Sequence, residues 1–165
     1  MSTRLYWLDE RWPGKLAISA RPRGGDWLQD EIADWKRSGI DVVLSLLERA
    51  EEKEMNLENE AEMAQAQGIE FSSLPIPDRQ PPNSEAHVTS TLDRMTKALK
   101  AGKNVLVHCR QGIGRSGLIA TCLLLRKGMS PGAAREKVTA ARGVEVPETK
   151  EQREWIDHYA PALAK

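Results

Sequence analysis

The sequence predicts an α/β fold, with a single domain over residues 1–165 and a central, mostly parallel sheet flanked by helices. Three observations support this prediction. Short apolar, β-branched runs alternate with longer segments of helical periodicity, which is the pattern of parallel strands joined by helical crossovers. A chain of 165 residues is long enough to bury one substantial core. No internal repeat or low-complexity segment interrupts the pattern.

The first half of the chain is expected to supply most of the strands. Apolar and β-branched residues cluster or alternate at residues 5–8, 16–19, 42–47 and 69–74. A Pro-Gly turn joins the first two of these runs, so we expect them to form neighbouring strands.

Two helical segments separate these strands. Asp26 and Gln29 have the spacing of a capping box and predict a helix start. One face of that helix carries Leu28, Ile32 and Trp35. The charged segment 48–67 is predicted to be helical, with a break near Asn56 and an end at Gly68.

The second half is predicted to be mainly helical around one buried strand. Helical spacing up to Gly102 is marked by Val88, Leu92, Met95 and Leu99. The strand follows at residues 104–107, and a helix that is apolar nearly all round covers residues 118–125. Ser130 and Pro131 begin another helix, with an inner face of Ala134, Val138 and Ala141. A final helix from about Thr149 is expected to bury Trp155, Ile156 and Tyr159.

The segment 108–117 joins the buried strand to the apolar helix and carries the chemistry of the chain. It reads His-Cys-Arg-Gln-Gly-Ile-Gly-Arg-Ser-Gly. A glycine-bearing loop that opens a helix directs several backbone N–H groups and the positive helix end at one small volume, which suits a phosphate. The sequence therefore predicts an anion-binding loop at the carboxyl end of a strand, where open α/β sheets bind ligands.

The side chains of this loop predict a nucleophile together with a fixed cation. A cysteine beside a helix N-terminus and a cation ionises readily, so we expect the Cys109 thiolate to attack substrate. Gly112 and Gly114 allow the backbone to approach an oxyanion closely. Arg115 offers a planar fork that can grip two phosphate oxygens. The Ser116 hydroxyl is placed to donate a hydrogen bond to the sulfur.

Residues 108–116 closely resemble the signature loop of the cysteine-dependent protein phosphatases. The family pattern is His-Cys-x-x-Gly-x-Gly-Arg-Ser/Thr, and every fixed position matches. More narrowly, the chain resembles the dual-specificity group and its kinase-associated phosphatase-like members. The resemblance implies a protein-tyrosine-phosphatase-like fold and a phosphocysteine intermediate, with no metal and no organic cofactor. It also implies that the substrate phosphate is bound by Arg110, Gln111, Gly112, Ile113, Gly114 and Arg115.

The same loop also contains a dinucleotide fingerprint. Residues 112–117 spell G-x-G-x-x-G after a strand, which is the correct local context. A dinucleotide fold also needs an acidic residue at the end of a second strand about 20 residues further on. The nearest candidate, Glu136, lies in a predicted helix, and the chain after Gly117 is too short for the remaining elements. This alternative also leaves Cys109 and Arg115 without a role.

A phosphatase of this kind needs a general acid, because an ester oxygen leaves poorly unless it is protonated. We predict Asp78, since similar phosphatases carry their acid in a comparable loop; an ordinary turn aspartate after Pro77 is the alternative. Gln152 could place the hydrolytic water, as a glutamine in similar phosphatases does, or could form a capping box with Thr149. We expect His108 to support the loop from behind through a backbone hydrogen bond.

Several other side chains have both a functional and a structural interpretation. A basic rim around the site, or simply solvated surface, would be formed by Arg21, Arg23, Arg79 and Arg110. Glu48 could orient Arg115 or could only begin a helix. Cys122 is interpreted as a small core residue rather than a redox partner. His87 and His158 have no companions at ligand spacing, so no metal site is predicted.

Charge and cysteine content narrow the expected partners. Lys and Arg together number 24, as do Asp and Glu, so the net charge favours neither nucleic acid nor an anionic membrane. No apolar run approaches the length of a membrane span, and the start of the sequence resembles no signal peptide. Two cysteines, one of them in the loop, favour a reducing compartment over a disulfide. We expect a monomer in the cytoplasm.

The predicted function is hydrolysis of phosphomonoesters on phosphorylated proteins or peptides. Phosphotyrosine is the expected substrate, together with phosphoserine and phosphothreonine. Three alternatives share the anion-binding loop: a non-catalytic phosphate-binding module, a phosphoinositide phosphatase and a rhodanese-type sulfurtransferase. The complete signature favours catalysis over binding, and the five-residue spacing from Cys109 to Arg115 favours phosphoryl over sulfur transfer.

Overall fold

The computed structural model describes residues 3–163, which form helices around a five-stranded sheet. The strands are β1 (Tyr6–Arg11), β2 (Lys15–Ser19), β3 (Val42–Ser45), β4 (Glu70–Ser73) and β5 (Val105–His108). Their order across the sheet is β1-β2-β5-β3-β4, with β1 antiparallel to β2 and all other pairs parallel. The predicted α/β fold is therefore confirmed, and β5 lies at the centre of the sheet.

Within the described residues, seven α-helices connect and cover these strands. They are α1 (Leu28–Arg37), α2 (Arg49–Glu54), α3 (Glu60–Ala66), α4 (Glu85–Lys100), α5 (Arg115–Leu125), α6 (Pro131–Arg142) and α7 (Lys150–Leu163). No helix within residues 3–163 is both long enough and apolar enough to cross a membrane.

The sheet separates two apolar clusters because successive side chains of a strand point to opposite faces. On β5, Val105 and Val107 belong to the larger cluster, which also contains the buried side of α4, α5, α6 and α7. Leu106 points the other way, into a smaller cluster with residues of α1 and α3. Helix α5 is buried along its whole length, which includes the nearly all-apolar run 118–125 from which burial is predicted.

The sequence predicts the element boundaries well except at one helix start. The break expected near Asn56 is confirmed, since Asn56 has a positive φ of 55° between α2 and α3. The capping box expected at Asp26 and Gln29 is wrong. A short 3-10 turn, Gly25–Trp27, leads into α1, and no side chain of the described chain caps that helix.

Candidate active site

Cys109 follows the last residue of β5 and is flanked by the carboxyl ends of β2 and β3. Ser19, Ser45 and His108 lie level with one another across these three strands. Cys109 continues the alternation of β5 and points toward the larger cluster, so only 2 % of the residue is exposed. The predicted nucleophile therefore lies at the floor of a cup formed by the following loop.

The loop curls back over the sulfur. The Gly112 amide donates a hydrogen bond to Cys109 Sγ over 3.3 Å. Gly112 has a φ of +73°, and a Cβ at this position would lie 2.5 Å from the carbonyl carbon of Ser19. Only glycine fits both the backbone conformation and this close approach. The geometry therefore requires glycine at position 112 because of Ser19, and the predicted approach to an oxyanion stays a prediction.

The other backbone amides of the loop are available to bind an anion. Helix α5 begins at Arg115, so its first turn faces the loop with its positive end. Within residues 3–163, no protein acceptor is bonded to the backbone amides of Gln111, Ile113, Gly114, Arg115 and Ser116. Amide donors without protein acceptors, next to a sulfur and a helix N-terminus, can bind a tetrahedral oxyanion.

Arg115 is buried and held by two kinds of acceptor. Its guanidinium donates to both carboxylate oxygens of Glu51, at 2.7 and 2.9 Å, and to the Ile76 carbonyl at 2.8 Å. Its Nη2 also donates to Asp78 Oδ1 at 3.0 Å. Burial opposes the positive charge, but the Glu51 hydrogen bonds and the charges of Glu51 and Asp78 raise the pKa of Arg115 above its ordinary value. The fork is therefore charged and fixed in position.

Asp78, the predicted general acid, lies beside Arg115 at the mouth of the cup. Its side chain is 46 % exposed, unlike the buried guanidinium that it contacts. The segment after β4 carries it there, and the Ile76 amide bonds to the Leu46 carbonyl to anchor that segment. The structure thus brings together three predicted residues, Cys109, Arg115 and Asp78, from two distant parts of the chain.

Glu51, which the sequence analysis did not identify, takes the orienting role considered for Glu48. Glu48 lies at the start of α2, where its amide donates to Glu51 Oε1 at 2.9 Å. The helix-start interpretation of Glu48 is therefore confirmed. One turn later, Glu51 points at Arg115 and is itself mostly buried. Burial raises the pKa of Glu51, but the hydrogen bonds from Arg115 and the Glu48 amide, together with the charges of Arg115 and Arg110, outweigh burial and leave that pKa below its ordinary value.

The backbone hydrogen bond expected for His108 is wrong. Its Nε2 lies 2.6 Å from Glu60 Oε2, and both side chains are fully buried. The reason is strand alternation: His108 shares the face of Leu106, so it points away from the loop toward α3 and α1. There its ring also lies beside Trp35, with centroids 6.0 Å apart. His108 supports the end of β5 through a carboxylate.

Ser116 and Gln152 are only partly as predicted. The Ser116 hydroxyl is buried without a hydrogen-bond partner in the described chain, so the predicted bond to the sulfur is not formed. Gln152 and Thr149 make both bonds of a capping box, at 3.1 and 3.2 Å. The Gln152 amide also lies against the loop, 3.0 Å from where a Cβ on Gly114 would be. The capping role of Gln152 is therefore confirmed. Its predicted role in placing the hydrolytic water stays a prediction, which its position against the loop supports.

The four arginines considered as a basic rim are engaged with neighbouring groups. Arg23 pairs with Glu31 at 2.6 Å, and Arg79 pairs with Glu148 at 3.1 Å. Arg110 lies 3.7 Å from Glu51 and 3.9 Å from Glu54, and Arg21 donates to the adjacent Pro22 carbonyl. These contacts favour the surface interpretation.

Arg142 contacts the loop and is not among the residues predicted from the sequence. It is the last residue of α6, and its guanidinium donates to the carbonyls of Gln111 and Gly112. Nothing in its local sequence distinguishes it from an ordinary basic residue at a helix end. Only the packing of α6 against β1 and α5 brings it to the loop.

Cys122 and the two remaining histidines lie outside the site. Cys122 is in the middle of α5, fully buried, and burial raises the pKa of its thiol far above the ordinary value. His87 and His158 are exposed. Within residues 3–163 no three His, Cys, Asp or Glu side chains converge as a metal site, and the prediction that no metal is needed stays a prediction.

Comparison with known proteins identifies the family. Residues 3–159 match the family model PTP-SAK, described as the Swiss Army Knife protein DSP-PTPase phosphatase domain. The chain belongs to this family. The predicted resemblance to dual-specificity phosphatases is therefore confirmed, and with it the expected class of enzyme, a cysteine-dependent phosphatase domain.

The relatives of this DSP-PTPase domain include kinase-associated phosphatases. Cyclin-dependent kinase inhibitor 3 of Rattus norvegicus is 30% identical over 139 residues, which cover 83% of this chain and 65% of that protein. This chain therefore spans about two thirds of the length of that relative. The structure of a kinase associated phosphatase with serine at its catalytic-site cysteine superposes with a TM-score of 0.91 at 25% identity, covering 99% and 97% of the two chains. Tk-PTP in its active form gives 0.78 at 28% identity, covering 95% and 96%.

Proposed function

We propose that this DSP-PTPase domain hydrolyses phosphomonoesters of proteins in two steps through a phosphocysteine on Cys109. One observation carries the proposal: Cys109 Sγ accepts a hydrogen bond from the Gly112 amide over 3.3 Å, inside a loop that ends at the buried Arg115. A nucleophile, an oxyanion cradle and a fixed cation occupy one turn of chain. Phosphoryl transfer depends mainly on such positioning and charge stabilisation.

In the first step the Cys109 thiolate attacks phosphorus in line with the ester oxygen. The S–P bond forms as the P–O bond to the leaving group breaks, and Asp78 gives its proton to that oxygen. Arg115 and the loop amides hold the three equatorial oxygens. Glu51 fixes the Arg115 guanidinium, and the Nη2 donor that now bonds to Asp78 turns to a phosphate oxygen as Asp78 turns to the leaving group.

In the second step water attacks the phosphocysteine. Asp78, now ionised, accepts a proton from the water as the O–P bond forms and the S–P bond breaks, which returns the Cys109 thiolate. Ser116 donates to the departing sulfur after a rotation of its hydroxyl, which has no hydrogen-bond partner within residues 3–163. Gln152, which lies against Gly114, places the water while it also caps α7.

A phosphorylated protein is the proposed substrate class. Kinase-associated relatives support it, and so does the low charge of the loop. Beyond Arg115 the loop supplies one more cation, Arg110, which lies near Glu51 and Glu54 and is partly neutralised by them. A phosphoinositide, with several phosphates on one ring, would call for more free cations. We also propose that the protein acts in the cytoplasm as a monomer, consistent with two free thiols.

Substrate trapping with Asp78→Ala tests this function. Without its acid the enzyme binds substrate but turns it over slowly, so we expect phosphopeptides to be retained over phosphoinositides in a competitive pull-down. Asp157→Ala is the matched control, because Asp157 is an exposed aspartate that pairs with Arg135 on the helix surface. Retention of lipids alone would overturn the protein assignment. Failure of the wild type to release phosphate from any monoester would favour the non-catalytic binding module.

A further inference from the structure

Five consecutive carbonyls of the loop accept hydrogen bonds from outside the cup. The Arg110 carbonyl accepts from the Arg21 amide at 3.3 Å, and those of Ile113 and Gly114 accept from amides of α5 at 3.1 and 3.0 Å. Arg142 serves the two carbonyls between them: its Nη2 lies 3.2 Å from the Gln111 oxygen and its Nε 3.0 Å from the Gly112 oxygen. Within residues 3–163, Arg142 is the only side chain among these donors.

The Arg142 side chain is itself held in place. Its guanidinium carbon lies 4.1 Å from the centre of the Tyr6 ring, a cation–π contact with the antiparallel edge strand β1. The Arg142 residue is half-buried, between α6 and the loop. The planar fork of an arginine matches two adjacent carbonyls, whereas a lysine offers one point charge.

Each carbonyl that Arg142 binds belongs to a peptide whose N–H points the opposite way. A trans peptide holds its C=O and N–H antiparallel in one plane. The Gln111 carbonyl shares its peptide with the Gly112 amide, which donates to Cys109 Sγ. The Gly112 carbonyl shares its peptide with the Ile113 amide, which has no protein acceptor in the described chain. Arg142 therefore acts on the amide that is bonded to the sulfur and on the next amide of the loop, which is free to bind an anion.

We propose that Arg142 is a positioning residue that orients and polarises the Gly112 and Ile113 amides toward the sulfur and the transferring phosphoryl group. Hydrogen bonds in a chain polarise one another, so a cation at the carbonyl strengthens the N–H donor at the other end of the peptide. The kinetic part of this inference rests on the proposed phosphatase function. Its effect on the Cys109 thiolate does not require turnover.

The test compares Arg142→Met and Arg142→Lys with the wild type and with Arg135→Met. Arg135 lies on the same helix but pairs with Asp157 at 2.8 Å, far from the loop contact, so it is a matched control. Two quantities are measured on the full chain: the pH dependence of Cys109 alkylation by iodoacetamide, resolved from Cys122 by peptide mass spectrometry, and kcat and KM for an aryl phosphate.

For Arg142→Met we expect the alkylation midpoint to move to higher pH and kcat to fall about tenfold with a smaller change in KM, because weakened donors act most on developing charge. Arg142→Lys should show a smaller shift in the same direction, and it decides the matter if the Met variant does not fold. A midpoint that stays at the wild-type pH in both variants, whatever happens to kcat or thermal stability, would overturn the proposal. If the wild type itself fails to hydrolyse the ester, the proposed function fails, while the alkylation midpoint still tests Arg142.

Discussion

The two cysteines of the chain lie in one strand–loop–helix unit, and both are buried. Cys109 is 2 % exposed and Cys122 is fully buried. Around Cys109 the structure places the Gly112 amide, the start of α5 and the guanidinium of Arg115. Around Cys122 it places the apolar side chains of the larger cluster, and burial raises the pKa of that thiol far above its ordinary value.

This difference shows that burial alone does not decide what a cysteine does. Both thiols are buried, but only at Cys109 do a bonded backbone amide and a helix N-terminus face the sulfur. A loop that must curl over the sulfur needs glycine at position 112, whereas a helix interior needs only apolar side chains. The predictions below test this contrast, in order of decreasing expected effect.

The largest effect should come from replacing each cysteine in turn. We expect Cys109→Ser to lower kcat for an aryl phosphate by a factor on the order of 10⁴ or more, with phosphate affinity retained, since the cradle is intact. Cys122→Ala should keep kcat within about twofold and lower the free energy of unfolding by about 1 kcal/mol. Turnover by Cys109→Ser, or its loss in a folded Cys122→Ala variant, would break the comparison.

The next effect concerns the proton given to the leaving group. Asp78→Asn should lower kcat for alkyl phosphates by about 10²- to 10³-fold, and much less for esters whose leaving group is already a stable anion. Asp157→Asn should change neither. Steady-state kinetics over a series of leaving groups measures this, and an equal loss across the series would remove Asp78 from the role of acid.

A third effect separates the loop glycine from a helix glycine. Gly112→Ala should lower kcat by about 10²-fold, because a Cβ at 2.5 Å from the Ser19 carbonyl carbon and a φ of +73° force the donor amide away from the sulfur. The control is Gly132→Ala on α6, where a Cβ meets nothing within 4 Å and helix propensity should stabilise the chain by about 0.5–1 kcal/mol. Equal activity of the two variants would show that the close approach has no catalytic consequence.

The smallest effect is a pH dependence of stability. The pKa of Glu51 is held below its ordinary value of 4.5 by Arg115, against the effect of burial. Its contribution to stability is therefore complete above about pH 4.5 and is lost as the pH falls through the lowered folded-state pKa. Glu51→Gln should be less stable than the wild type by about 2 kcal/mol at neutral pH, with the difference shrinking in acid. Urea unfolding from pH 3 to 8 measures this; a difference that grows in acid would contradict the assigned direction.

The sequence identified the parts of the site that lie within one short segment. Cys109, Gly112 and Arg115 are recognisable because the strand, the loop and the helix start are local. Asp78 was found only through the resemblance, since a turn aspartate has no distinguishing local signal. Glu51 and Arg142 were missed because their roles depend on which helix packs against the loop, and no periodicity reports that.

His108 shows a different limit of sequence reasoning. Its place beside Cys109 suggested that it supports the loop. Strand alternation instead directs its ring to the opposite face of the sheet, where it forms a hydrogen bond with the Glu60 carboxylate. The face to which the His108 side chain points could have been predicted from the alternation of residues along β5. The carboxylate partner on α3 could not, because it lies 48 residues away in the sequence.

Capture of the covalent intermediate tests the central claim most directly. The wild-type chain is mixed with an excess of an aryl phosphate, quenched with acid within milliseconds, and digested for mass spectrometry. The account predicts one phosphate on the peptide that contains Cys109 and none on the peptide that contains Cys122. Rapid turnover with no phosphate on Cys109, or with the phosphate on another side chain, would contradict it.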